Sequence, residues 1–211
     1  MQITDIKPQK IPNRYNVYID NEFAFGIDGV DLLYHKLAIG KELDAAFVSR
    51  LKEELGYLKT RDAALFYIAR AQRSAFEIRR HLLHKEYGEE HVNQALDYLN
   101  ERGYIDDAAY AAAFIQQKYR KNHGKRRIVA ELHQKGVSKD DILEGFRLCL
   151  ADIGQNSEEE AVQRAIDKKL KGKPISGLAD IERRKLGQYL ARRGFAYDII
   201  KQAISSKGED L

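Results

Sequence analysis

The sequence has little of what ties a protein to an oxidising compartment, a membrane or disorder. It carries a single cysteine, Cys149, so no intramolecular disulfide can form. Cys149 lies in the apolar run FRLCLADI with no assignable activating partner, which favours a buried thiol over a nucleophile. With three prolines and no tryptophan, the chain also lacks the Pro, Gly and Ser excess of a disordered one. No apolar run approaches the roughly 20 residues of a membrane span. The N-terminal stretch MQITDIKPQKIPNRYN has no apolar core of signal-peptide length. These absences predict a cytoplasmic protein with no membrane association. Walker, GxGxxG and GxSxG motifs are missing, and HGKRR keeps only the Gly-Lys of a phosphate loop. No constellation supports an enzyme, and no cofactor is expected.

What is present favours helix. Apolar residues make up 44% and charged residues 32% of 211 residues, with Ala, Leu, Glu, Lys, Arg and Gln prominent. The net charge of +4 is unevenly spread. Residues 1–60 are close to neutral, whereas 117–135, QKYRKNHGKRRIVAELHQK, hold seven Lys/Arg against one Glu. A patch of this kind favours a polyanion partner, although solvated helices also carry such patches.

The first 27 residues have strand character. RYNVYID and EFAFGI alternate, and Asp20-Asn21 between them is a tight-turn signal, so 14–27 reads as a β-hairpin. QITDIKPQ offers a third strand ending near Pro8. Helices are expected over VDLLYHKL and over residues 44–55, with Phe47, Val48, Leu51 and Leu55 on one face.

From residue 60 a repeat appears. IRRHLLHKEYGEEHV (78–92), IVAELHQKGVSKDDI (128–142) and LGQYLARRGFAYDII (186–200) align without gaps. The first position is Ile78, Ile128 or Leu186, and the fifth is Leu82, Leu132 or Leu190. These share a helix face at i and i+4. The eighth is basic (Lys85, Lys135, Arg193), the tenth is Tyr87, Val137 or Phe195, and the fifteenth is Val92, Ile142 or Ile200. Gly136 and Gly194 end their helices left-handed; Glu86 replaces glycine in the first copy. The separations are 50 and 58 residues, the additional eight falling in LKGKPISGL. An amphipathic stretch precedes each copy: DAALFYIARA, AAYAAAFIQQKY and EEAVQRAIDKKL. Each repeat is therefore three short helices, too small to bury much core alone. The expected fold is mainly α: tandem three-helix repeats in an elongated curved array, with a small N-terminal β-hairpin and helical region. The expected boundaries are 1–59 for the N-terminal region, then 60–106, 107–153 and 157–206 for the repeats.

The adjacent carboxylates Asp106 and Asp107 invite a metal or acid–base reading. They follow Gly103 and a short apolar corner, where the next helix must start. Asp106 is thus expected to cap it and Asp107 to sit in its first turn, favoured by the dipole. Ser74 with Glu77, and Ser157 with Glu160, match the capping-box pattern. His81, His84 and His91 tempt a zinc reading, but a turn separates the third from the others and no cysteine helps. No metal site is expected. The basic residues remain. Lys118, Arg120 and Lys121 end one helix; Lys125, Arg126 and Arg127 begin the next, against its dipole. Arg183, Arg184 and Lys185 echo them in IERRKLG. Of these, Lys118, Arg120, Lys121, Lys125, Arg126, Arg127, Arg183 and Arg184 are the candidate binding residues, weighed against a merely solvated face.

LNERGYIDDAAYAAAFI, GKRRIVAELHQKGVS and RRKLGQYLARRGFAYDIIKQAI, in that order over residues 60–206, resemble the RecX family of regulators of the recombinase RecA. RYNVYIDNEFAFGI is similar to the N-terminal extension of its longer members. The resemblance implies a non-enzymatic regulator of recombination, DNA repair and the SOS response. Family members bind the RecA filament on single-stranded DNA, lie in its groove, suppress ATP hydrolysis and strand exchange, and favour filament loss. The expected partners are therefore the RecA filament and single-stranded DNA, with this chain acting as a monomer. An independent helical nucleic-acid-binding module is the alternative reading.

Overall fold

The computed structural model describes residues 1–152 and 158–205, and the side chains of 150–152 are outside that description. The chain divides into two compact units, residues 1–65 with 82–95, and residues 66–81 with 96–211.

In the first unit, β1 (Ile3–Pro8), β2 (Arg14–Ile19) and β3 (Glu22–Asp28) form an antiparallel sheet in that order. Asp20 and Asn21 both take positive φ, 48° and 67°, as a two-residue hairpin turn with the twist of its strands requires. Ile3, Val17, Phe25 and Ile27 project into one apolar cluster with Leu37, Leu43, Val48 and Leu51. The short α1 (Gly29–Tyr34) starts at Asp28, whose carboxylate accepts the Asp31 N–H at 2.8 Å.

Residues 44–55 and the stretch from 60 were expected as separate helices. They are one continuous helix, α2 (Ala45–Ile68). The only breaker between them is Gly56, and a Cβ there would meet the His91 ring at 2.4 Å. The glycine serves close packing, not chain reversal. His91 is held in turn by Glu53, 2.9 Å away.

The repeats follow as α3 (Ala75–His84), α4 (Glu89–Glu101), α5 (Asp107–Arg120), α6 (Lys125–Gln134) and α7 (Lys139–Asp152). Then come α8 (Glu158–Leu170), a 3-10 turn (Ile175–Gly177), α9 (Asp180–Arg192) and α10 (Tyr197–Ser205). The periodic positions are the core: Ile78, Leu82, Ile128, Leu132, Leu186 and Leu190 are buried, as are Val92, Ile142 and Ile200. Each second helix closes with the same reversal. The N–H of Tyr87, Val137 or Phe195 donates to the carbonyl of Leu82, Leu132 or Leu190 at 3.1 to 3.3 Å. Cys149 is buried, in keeping with its apolar surroundings in the sequence.

The eighth, basic position makes the joint between repeats. Lys135 Nζ donates to Glu77 Oε1 at 2.7 Å, and Glu77 is only 8% exposed. Tyr110 Oη donates to Glu77 Oε2 at 3.0 Å, and Ser74 Oγ donates to the Lys135 carbonyl at 2.6 Å. The capping box read at Ser74 and Glu77 is formed, with the Glu77 N–H reaching Ser74 Oγ at 3.2 Å. Its glutamate does a second task. Asp106 caps α5 through the Ala109 N–H at 2.8 Å. Asp107 does more than face its own dipole: its carboxylate accepts the Ala75 N–H, at the start of α3, at 3.0 Å.

The next joint repeats this geometry. Glu158, first residue of α8, accepts the Lys125 N–H, at the start of α6, at 2.8 Å. Arg193 Nη1 donates to the carbonyls of Lys121 and Asn122 at 2.9 and 3.0 Å. The glycine after each basic residue lies against the neighbouring repeat. A Cβ on Gly136 would strike Phe76 at 2.2 Å, and one on Gly194 would strike Arg127 at 2.3 Å. The exposed Glu86 keeps the turn with a φ of 61°. The Ser157–Glu160 capping box falls partly outside the described residues, at Ser157.

Burial alone would raise the Glu77 carboxyl, but hydrogen bonds from Lys135, Ser74 N–H and Tyr110 outweigh it and hold it below the usual range. Burial opposes charge on Lys135, yet Glu77 and Tyr110 raise its pKa. A lowered carboxyl gives stability above its unfolded value, near ~4.3, that is lost as pH falls through the folded value. Glu77→Ala should lower the unfolding free energy by about 2–4 kcal/mol in urea titrations. Glu77→Gln should remove part of the acid limb of the stability profile; an acid limb identical to wild type would exclude this role.

The Asp107 carboxyl is raised, first by burial and then by Asp141, Asp106 and Glu77, with the Ala75 N–H acting against them. Asp107→Asn keeps the acceptor without the buried charge, and so should match or exceed wild-type stability at neutral pH. Asp107→Ala and Asp106→Ala should each cost about 0.5–2 kcal/mol in thermal or urea melts. Neither should change metal content by mass spectrometry.

Candidate nucleic-acid interface

Six of the eight candidate cations flank the corner between α5 and α6, turned by Asn122 at a φ of 58°. α6 starts at Gly124, which has no side chain to cap it. Glycine is needed there because a Cβ would meet the Gly194 carbonyl carbon and Phe195 N at 2.3 Å. The cap therefore comes from Glu158. Its negative charge at the helix start offsets the unfavourable sequence of three cations in the first turn. Burial raises the Glu158 carboxyl, opposed by the Lys125 N–H.

The side chains of the corner divide by partner. Glu131 takes both Lys118 and Arg127, the latter at 2.8 Å. Lys125 Nζ lies 4.8 Å from the centre of the Phe146 ring. Arg120 and Lys121 are exposed and have neither an ion-pair nor a side-chain hydrogen-bond partner among the described residues. His123 reports the local field: burial first, then Arg127 and Lys118, hold its pKa below the usual imidazole range.

Arg126 belongs elsewhere. It joins Arg183, Arg184 and Lys201 around an open groove of about 540 Å³ on α9 and α10. Arg183 is partly committed, donating to the carbonyls of Leu178 and Ser176 at 3.2 and 3.4 Å. The eight candidates thus form two groups, five at the corner and three at the groove.

Sequence reasoning missed a third basic surface. Lys169, Lys171, Lys173, Lys185 and Arg192 surround an open groove of about 520 Å³. Its one acid, Glu182, accepts the Ala179 N–H at 3.1 Å. None of the five cations forms an ion pair among the described residues. They come from α8, the following turn and α9, so no run of sequence displays them together. Three of them lie in or beside LKGKPISGL, read only as a linker.

The histidines considered for zinc are otherwise engaged or apart. His81 stacks on Tyr67 with ring centres 3.9 Å apart, and His91 faces Glu53. Among the described residues no cluster of His, Cys, Asp and Glu could hold a metal. No described helix is long and apolar enough to cross a membrane.

Fold and surface together define a helical-repeat protein whose three-helix units follow a small antiparallel sheet in sequence, basic over its last two repeats. The RecX N-terminal domain matches residues 1–44. The first, second and third RecX three-helix domains match residues 61–99, 106–145 and 157–204. The chain belongs to the RecX family. Regulatory protein RecX of Clostridium botulinum (strain Alaska E43) is 33% identical over 96% of this chain and 94% of its own length. That of Bacillus subtilis is 29% identical over 96% of this chain and 75% of its own. A crystal structure of regulatory protein RecX shares the fold, with a TM-score of 0.68 at 24% identity, covering 97% of this chain and 98% of that one. These relatives are named as regulatory proteins, and the family is not named for a catalytic activity.

Glu131 is the counterion that most reduces the positive potential of the corner. Burial raises its carboxyl, but Arg127 and Lys118 outweigh this and bring it below the ordinary range. Glu131→Gln should release both cations at a stability cost of about 0.5–1.5 kcal/mol. If the corner contacts phosphates, affinity for a single-stranded oligonucleotide should rise several-fold in fluorescence anisotropy. Its salt slope should steepen, by roughly 0.7 per additional phosphate neutralised. Unchanged affinity would mark the corner as a solvated face.

Proposed function

We propose that this protein binds the filament of the recombinase RecA on single-stranded DNA and inhibits its ATP hydrolysis, strand exchange and recombination. It does so as a cytoplasmic monomer, without catalysing a reaction of its own. Membership of the RecX family carries this reading. The distribution of charge supports it. Among the described residues, Arg120 and Lys121 at the corner have no counterion, and neither do the five cations around the α8–α9 groove. Several separated contacts of modest strength bind an extended repetitive target by avidity, without a deep pocket.

The unpaired cations also favour the second reading, an independent nucleic-acid-binding module, for which DNA alone would be a sufficient partner. The two readings separate on one measurement. RecA ATPase on single-stranded DNA should fall with substoichiometric to equimolar amounts of this protein, and the protein alone should hydrolyse no ATP. A protein that only competes for DNA should lose its effect once DNA is in large excess over it. Intrinsic ATPase, or no effect on RecA at equimolar amounts, would overturn the proposal. Arg120→Glu with Lys121→Glu should weaken inhibition and flatten its salt dependence, leaving the circular dichroism unchanged.

A further inference from the structure

Although Leu170, Leu178, Leu186 and Tyr189 also line the basic groove between α8 and α9, the groove on α9 and α10 is the more apolar of the two. Ala191, Phe195, Ile200 and Ile204 line it, and Tyr197, 74% exposed, stands at its edge. Gly187 and Ala191 keep it open. In the ungapped alignment of the repeats these positions are Val129 and His133 in repeat two, and Arg79 and Leu83 in repeat one. Only the third copy has two small residues there. The glycine is not forced by the backbone: no positive φ is recorded for it, and a Cβ would meet Ile200 at an ordinary 3.9 Å. A helical glycine that packing does not require costs roughly 0.5–1 kcal/mol relative to alanine. The open space is what it provides.

The rim is cationic, with Arg126, Arg183, Arg184 and Lys201 and no acid among the lining residues. Arg183 is bonded only to main-chain carbonyls, and no ion pair neutralises any of the four among the described residues. A phosphate backbone is served by cation density, and the groove between α8 and α9, with five cations, suits it better. Carboxylates flanking an apolar side chain match both halves of this site. The volume is within the range that encloses a few side chains.

We infer that this groove docks an acidic peptide segment that inserts apolar side chains between Gly187 and Ala191, with its carboxylates on Arg126, Arg184 and Lys201. The segment belongs to the protein component of the filament, so the inference rests in that respect on the function proposed above. The groove is a protein-docking site beside nucleic-acid-binding surfaces, and it divides the two contacts between different residues.

Two variants test this. Gly187→Val with Ala191→His fills the floor with the side chains of repeat two, and Arg184→Glu with Lys201→Glu reverses the rim; circular dichroism verifies the fold of each. The first probe is a fluorescein-labelled ten-residue peptide of Glu flanking Leu, with a Lys-for-Glu counterpart. The wild type should bind the acidic peptide at least about tenfold more tightly than the basic one, and both variants should lose about tenfold or more. The second probe is a single-stranded oligonucleotide without RecA, which the filled variant should bind like wild type. The filled variant should also need about tenfold more protein to inhibit RecA ATPase. Equal binding of the two peptides, or wild-type peptide affinity in the filled variant, would overturn the inference. So would loss of oligonucleotide binding in the filled variant, which would place nucleobases in the groove. If the wild type binds the acidic peptide but leaves RecA unaffected, the filament function fails while the docking chemistry stands.

Discussion

The carboxylate of Glu77, held by Lys135, Tyr110 and the Ser74 N–H, is the interaction around which the repeat architecture is organised. A carboxylate this buried would be unfavourable without partners, and here three donors surround it. Two of those donors come from the following repeat. Neither repeat can satisfy the group alone, so the ionised pair specifies that they meet in one register. Apolar surface drives the same association but is far less selective about orientation. The second joint uses different atoms for the same end. Arg193 bonds the carbonyls of Lys121 and Asn122 just past the end of α5, and Arg164 adds a bond to the Tyr119 carbonyl at 3.2 Å. In both joints a cation at the eighth position reaches back to the preceding repeat, and an acid opening the next first helix caps the preceding second helix.

Much of this was legible residue by residue but not as a joint. The alignment correctly gave the core positions, because burial at i and i+4 leaves a periodic trace in any sequence. It also gave the basic eighth position, but not its reason. Glu77 and Lys135 are 58 residues apart, and Asp107 and Ala75 are 32 apart. Each looks locally complete: Glu77 as half a capping box, Asp107 as a dipole partner in its own helix. Local rules account for one hydrogen bond of a carboxylate and cannot see the others. The glycine pattern shows the same limit. Gly136 and Gly194 were read as helix ends, which they are, but the close approach of Phe76 and Arg127 adds a second requirement. Glu86 satisfies the φ alone. The fused α2 was missed for a related reason. Gly56 lies inside α2, and His91, 35 residues on, occupies the space its missing side chain leaves.

The candidate cations were half legible. A dense run of Lys and Arg is visible in sequence, but its neutralisation by Glu131 or its use over Phe146 is not. Charge density along the chain therefore overstated the corner and hid the α8–α9 groove, whose cations are dispersed over three segments. Arg126 illustrates the difference most directly. Adjacent to Arg127 in sequence, it serves another surface, because successive helical residues point about 100° apart and only those three or four apart share a face.

The freedom of the third repeat's cations follows from how its second helix begins. In repeats one and two, the positions equivalent to Arg183 and Arg184 are Ala75 with Phe76 and Lys125 with Arg126, all at the very start of a helix. There the backbone is committed to a joint: Ala75 to Asp107, Lys125 to Glu158, and the Arg126 N–H to the Gly194 carbonyl at 3.1 Å. α9 starts three residues earlier, at Asp180, and supplies its own acid, Glu182, to the Ala179 N–H. Arg183 then donates its N–H to the Ala179 carbonyl within the helix. With the helix start moved upstream, no carboxylate among the described residues pairs with these arginines. The first two repeats commit the backbone at these positions to a joint, whereas the third leaves it within its own helix.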